Sequence, residues 1–260
     1  MLIDTHCHLD AQHCGEAPLE VLSRARAAGV GGFVSIGVGS LAAAEQAAAL
    51  AAGQADVWAS IGVHPHDASA FSEELEGDLL ELLAAPRVVA VGEVGLDYHY
   101  DHSPRDRQVE VFRRFIALAR RLAKPLVIHT RNAAAETLRI LDSESARDVG
   151  GIIHCFSEDK EFARRALELD FDLSFSGIVT FKNARAVQEV AAWAPSDRIL
   201  VETDSPYLSP VPLRGKRCEP AFVVYTARRV AELRGVAFEQ LAEMTTQNAR
   251  RRLRLGEMLK

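Results

Sequence analysis

Apolar residues fall along this chain in two alternating kinds of run. Short stretches rich in Val, Ile, Leu and Phe cover residues 2–5, 32–36, 57–63, 88–94, 125–129, 151–155, 171–175 and 199–202. They lack strict apolar–polar alternation, which is the pattern of strands covered on both faces. Between them lie longer segments with helical periodicity and recognisable ends. Pro18 suits a first helical turn ahead of residues 19–28, and Gly29 suits the stop. Ser40 suits the N-cap of the Ala-rich run that reaches Gly53. Within residues 107–122, Val111, Phe112, Phe115, Ile116 and Ala119 recur at helical spacing and mark one buried face.

Eight strand–helix pairs without a linker rich in Pro, Gly or Ser predict one α/β domain over residues 1–260. The expected architecture is a single (β/α)8 TIM barrel, with a doubly wound open sheet as the competitor. The positions of polar residues favour the barrel. His6 and His8 end the first strand, Glu93 the fourth, His129 the fifth, His154 the sixth and Asp204 the last. A closed sheet brings the first and last strands together, and barrels carry their active sites at the C-terminal strand ends.

These residue types have a shared chemistry. His6 and His8 stand at i and i+2 on a strand, so both imidazoles point to one face. Glu93 can bridge two cations through its two oxygens, and His129 and His154 each close an apolar run. Four imidazoles and two carboxylates suit a pair of divalent cations, which points to a metal-dependent hydrolase. Glu202 competes with Asp204 as the last ligand, and Asp204 is preferred because it lies nearer the loop. His64, in Gly62-Val63-His64-Pro65-His66, is a candidate substrate contact. The loop Arg214-Gly215-Lys216-Arg217 is compact and basic and could hold phosphate. The run Arg250-Arg251-Arg252 reads as a solvated helix face.

Composition narrows the substrate. A formal charge of −6 argues against a broad grip on duplex DNA. A strand end held in a pocket is still compatible, because cations supply local positive charge. The four cysteines contain no CxxC pair and read as free thiols. No apolar run approaches the roughly 20 residues of a membrane span. Asp4, His6 and His8 interrupt any signal-peptide core, so the expected protein is cytoplasmic, without a membrane partner and monomeric. There is no GxGxxG, P-loop or G-x-S-x-G motif.

Taken together, Asp4-Thr5-His6-Cys7-His8-Leu9-Asp10, Gly62-Val63-His64-Pro65-His66, Gly92-Glu93-Val94-Gly95-Leu96-Asp97-Tyr98, Ile128-His129-Thr130-Arg131, His154-Cys155-Phe156-Ser157, Glu202-Thr203-Asp204-Ser205-Pro206-Tyr207 and the Arg214–Arg217 loop resemble the TatD family of metal-dependent deoxyribonucleases, in the amidohydrolase superfamily. The resemblance spans nearly the whole chain. It implies a two-metal centre, with His6, His8 and Asp204 on one ion, His129 and His154 on the other, and Glu93 bridging. The ions would be Zn²⁺, Mn²⁺ or Mg²⁺. Many binuclear relatives in the superfamily bridge with a carboxylated Lys; residues 88–94 contain none, which favours TatD over lactonases and phosphotriesterases. Where the family pattern continues with Asn-Glu-Pro, this chain has Cys218-Glu219-Pro220, so substrate contacts from that loop are open.

The implied reaction is hydrolysis of DNA phosphodiesters, 3′→5′ from single-stranded ends. Water activated by the cations attacks phosphorus while Asp204 takes its proton, and Arg131, Arg214 and Arg217 contact phosphate. Two other readings stay open. One is hydrolysis of a carbonyl ester or amide, including small-molecule esters and D-aminoacyl-tRNA. The other is a non-catalytic barrel that serves as a binding protein.

Overall fold

The eight apolar runs become eight strands in the computed structural model, which describes residues 1–256. They are β1 (Leu2–Cys7), β2 (Val30–Gly37), β3 (Val57–Ile61), β4 (Val88–Asp97), β5 (Leu126–Arg131), β6 (Gly151–Ile153), β7 (Phe171–Phe175) and β8 (Ile199–Val201). All neighbours pair in parallel, in the order β1 to β8. Helices run between them, as a (β/α)8 TIM barrel requires. Their ends follow local chemistry. The Ser40 hydroxyl caps the helix Leu41–Gly53 by accepting the Ala43 N–H, and Pro18 opens the helix Pro18–Ala27. In the helix Arg105–Leu122 the expected face of Val111, Phe112, Phe115, Ile116 and Ala119 is buried.

Closure between β8 and β1 is made mostly by side chains. Thr203 donates its N–H to Asp4 Oδ1 at 2.9 Å and its hydroxyl to Oδ2 at 2.6 Å. The Thr5 hydroxyl donates to the Val201 carbonyl at 3.1 Å. Just beyond, Cys7 and Ser205 form a parallel bridge, and the Asp204 N–H donates to the His6 carbonyl at 2.9 Å.

The strand ends differ from expectation where they carry chemistry. β4 runs on to Asp97, whereas β6 and β8 stop before His154 and Glu202. The ladder also slips between Asp4 and Cys7 in β1 and between Val91 and Val94 in β4. Such bulges re-aim side chains, and these two flank His6 and Glu93. Gly92 (φ +151°) lies inside the second one, where a Cβ would overlap the Val127 carbonyl.

Ile3, Val34, Ile36, Trp58, Ala90, Val127, Ile152 and Leu200 fill the barrel as one cluster with Ala249, Leu253 and Leu255. The last helix, Phe238–Leu253, thereby joins the barrel core. Its basic run is solvated only in part: Arg251 is exposed, whereas Arg252 is largely buried. Arg252 reaches Asp172 Oδ1 at 2.9 Å and Asp170 Oδ2 at 2.9 Å, and Arg251 reaches Asp172 Oδ2 at 3.1 Å. Arg198 joins at 2.5 Å from Asp172 Oδ1. Asp172 lies on β7 and is fully buried, so its charge needs cations beside it. Nothing in the run itself announces that acid, which lies 80 positions earlier.

All four cysteines are free thiols. Among the described residues, no helix is long and apolar enough to cross a membrane.

Arg252 is the most buried arginine of this cluster and donates four hydrogen bonds to Asp170 and Asp172, which its removal would leave unmade. Arg252→Met is therefore expected to lower the unfolding free energy by about 3 kcal/mol, read from denaturant midpoints. Arg229→Ala, which breaks a surface pair with Glu232, should cost under about 0.5 kcal/mol. Equal, small effects would show that the Asp172 cluster carries no stability.

Candidate metal centre

The six residues expected to hold cations converge at one end of the barrel. His6 lies within β1, Glu93 within β4 and His129 within β5. His8, His154 and Asp204 lie just past the ends of β1, β6 and β8. They border a cavity of about 700 Å³ at the C-terminal mouth, with His6 buried beneath it.

Glu93 is the centre of the arrangement. Its Oε1 lies 2.8 Å from His154 Nε2, 2.9 Å from His129 Nδ1 and 3.4 Å from His64 Nε2. Its Oε2 lies 3.3 Å from His6 Nε2. On that second side, Asp204 Oδ1 is 3.6 Å from both His6 Nε2 and His8 Nε2. One carboxylate thus faces two separate groups of ligand atoms. Asp204 is held there by a left-handed backbone, φ +58°, unusual for a non-glycine residue. The His6 and His154 rings stack at 3.9 Å between the two groups.

The donor set fits divalent cations. Both ring nitrogens of His6 and Nδ1 of His8 are buried without a hydrogen-bond partner, which is costly unless something else binds them. Ligand atoms of His6, His8 and Glu93 lie within 4.8 Å of one another, as do those of His64, Glu93 and His129. The charges agree. Burial would raise the Glu93 carboxyl, yet His154, His64 and His129 hold it well below the usual carboxylate range. Burial likewise opposes ionisation of Asp204, and His8, His154 and His6 reverse that. Burial also opposes charge on His154, but Glu93 and Glu202 on its two nitrogens hold its pKa well above the ordinary value. A cation can replace such a shared proton, since metal binding displaces protons from its ligands.

Two further acids orient the histidines. Glu202 Oε1 accepts from His154 Nδ1 at 3.2 Å and from the Cys155 N–H at 2.6 Å. It thereby turns His154 Nε2 toward Glu93, while Asp204 goes to His6 and His8. Asp97 Oδ2 lies 3.2 Å from His129 Nε2 and 2.9 Å from His66 Nε2. Its other oxygen accepts the N–H groups of His99 and Tyr100. Glu202, a rival cation ligand by sequence, is thus a partner of His154, and Asp97, unremarked in the sequence, is a partner of His129. A signal for Asp97 exists, because residues 93, 95 and 97 share one face of a strand.

The expected substrate contacts divide. His64 lines the cavity, and burial pushes its pKa down to about 4, so the ring is neutral. Arg131 also lines it, with its guanidinium 4.7 Å over the Tyr100 ring. Arg214 and Arg217 do not. Arg214 lies 3.9 Å over Phe181, and Arg217 donates to the His13 carbonyl. In the same loop Cys218 is buried, and its N–H donates to the Pro206 carbonyl at 3.1 Å.

Comparison with known proteins gives a family and a fold. The family described as TatD related DNase matches residues 3–254. The uncharacterized metal-dependent hydrolase YabD of Bacillus subtilis (strain 168) is 46% identical, over 98% of this chain and all of its own length. A protein of Rahnella sp. named 3'-5' ssDNA/RNA exonuclease TatD is 34% identical, over 90% of each chain. Among solved structures, the TatD homologue YJJV of Escherichia coli K12 superposes with a TM-score of 0.91 at 26% identity, covering 98% of both chains.

Glu202→Gln tests the support of His154. It keeps an acceptor for the Cys155 N–H but weakens the grip on His154 Nδ1. Affinity for Mn²⁺ or Zn²⁺, titrated calorimetrically, should fall about 10–100-fold with the fold intact. Unchanged affinity would show that His154 needs no such partner.

Proposed function

Because the chain belongs to the TatD family of metal-dependent hydrolases, we propose that it is a deoxyribonuclease removing nucleotides from the 3′ end of single-stranded DNA with two divalent cations. The observation that carries this reading is the Glu93 carboxylate, which offers one oxygen to His6 and the other to His129 and His154. We assign His6, His8 and Asp204 to one cation, His129 and His154 to the other, and Glu93 to both.

When bound, the cations supply the Lewis acidity that makes water nucleophilic near neutral pH and that neutralises charge on the phosphate. The protein supplies the rest. Asp204 is ionised and faces the cavity with its side chain 14% exposed, so it takes the proton from the attacking water. Arg131, steadied on Tyr100, holds a non-bridging phosphate oxygen. His64, kept neutral by burial, contacts the substrate beside Glu93. Arg217 and Arg214, off the cavity wall, are left for phosphates farther along the strand. A recessed site under an acidic protein favours a strand end over continuous duplex. The name of the Rahnella relative supports the same polarity and strand preference.

The test is digestion of end-labelled single- and double-stranded oligonucleotides across a Mg²⁺, Mn²⁺ and Zn²⁺ titration, with a chelator control. Stepwise shortening of the single strand from its 3′ end, abolished by chelator, is expected. Cleavage of an aminoacyl ester with no DNA degradation would overturn the nuclease reading. Asp204→Asn should lower turnover at least about 1000-fold while circular dichroism stays native. Near-normal turnover would show that another group accepts the proton.

A further inference from the structure

The turn after β8 carries one large side chain that the proposed reaction leaves unused. Tyr207 borders the cavity and is 51% exposed. Among the described residues, Tyr100 is the only other exposed large apolar side chain on that wall. β4 and β8 stand four places apart in an eight-stranded ring, so the tyrosines that follow them lie on opposite sides of the mouth. Their surroundings differ. Tyr100 has Arg131 4.7 Å over its ring and the His102 ring parallel to it within 3°. The rings beside Tyr207 are His8 at 6.1 Å and His13 at 6.3 Å, standing at 77° and 73° to it. Neither stacks on Tyr207, so its aromatic face is not taken by a neighbouring ring.

The turn that carries this ring is pinned at three successive residues. The Ser205 carbonyl accepts the His8 N–H at 2.9 Å, the Pro206 carbonyl accepts the Cys218 N–H at 3.1 Å, and the Tyr207 N–H donates to the Asp204 carbonyl at 2.9 Å. Tyr207 is thereby tied to Asp204 and His8, which belong to the proposed cation site. The cavity, at about 700 Å³, has the size of a pocket for a small organic ligand, so a sugar and base fit along with a phosphate. We propose that Tyr207 is a stacking platform for one unpaired nucleobase next to the scissile phosphate, an inference that rests on the nuclease reading above. Stacking on an aromatic side chain tolerates any sequence, because every base has a π-face. It demands a base splayed out of its own stack, and a base in duplex is costly to extrude. Selection of single strands thus comes from the ring as well as from the charge of the protein.

Pairing a change in the protein with a change in the substrate separates stacking from a structural role. Asp204→Asn, expected to stop turnover, is the background for binding. A 5′-fluorescein single-stranded oligonucleotide is titrated with the Mn²⁺-loaded protein, and Kd is read from fluorescence anisotropy. Adding Tyr207→Leu is expected to raise Kd about 10-fold, whereas Tyr207→Phe, which keeps the ring, stays within about 2-fold. The strand is then made with an abasic residue at its last or its next-to-last position. The Tyr207→Leu penalty is expected to vanish on one of these two strands, where the base that meets the ring is missing. A penalty that persists on both, no penalty on the intact strand, or an equal penalty in Tyr207→Phe would overturn the proposal. The wild-type protein is assayed in parallel for shortening of the intact strand. If it shortens none, the nuclease reading falls and this inference with it. If it shortens the strand and the binding penalties miss the expected pattern, this inference alone falls.

Discussion

The clasp between Asp4 and Thr203 joins residues 199 positions apart and decides where everything at the barrel mouth stands. One carboxylate accepts both the N–H and the hydroxyl of one threonine, so β1 and β8 cannot slide past each other. His6 follows Asp4 by two residues and Asp204 follows Thr203 by one. The clasp therefore fixes the separation of two ligands that the linear chain keeps far apart. The His6 carbonyl then takes the Asp204 N–H, and the left-handed turn at Asp204 aims its carboxylate back at His6 and His8. Closing the sheet and building the site are one event.

Inside that frame the governing constraint is electrostatic. Glu93 and Glu202 are buried acids, and an isolated buried carboxylate is costly. Imidazoles ring Glu93 and hold it ionised and aimed before any substrate arrives, and Glu202 Oε1 is met by His154 and the Cys155 N–H. Asp97 does the same service for His129 from the opposite side of the ring. Preorganisation of this kind lets a site stabilise developing charge without rearranging at the moment of reaction. The other end of the barrel repeats the problem with a different answer. Asp172 is balanced by three arginines from the approach to β8 and the last helix.

Much of this was legible from the order of residues. Strands covered on both faces show as apolar runs, and ligand types at their ends mark the mouth. The eight-strand barrel and the convergence of His6, His8, Glu93, His129, His154 and Asp204 follow from those two signals. What stayed hidden depends on contacts between distant segments or on backbone geometry. The bulges beside His6 and Glu93 and the turn at Asp204 have no periodic signature. The pairing of Arg252 with Asp172 is invisible without the fold, as is the displacement of Arg214 and Arg217 from the cavity.

The central claim is that Glu93 is shared between two cations. Metal counting by mass spectrometry on protein resupplied with Mn²⁺ tests it directly, comparing the wild type with Glu93→Ala. Two equivalents per chain are expected in the wild type and one or none in the variant, with the barrel still folded by circular dichroism. Two tightly held equivalents in Glu93→Ala would contradict it.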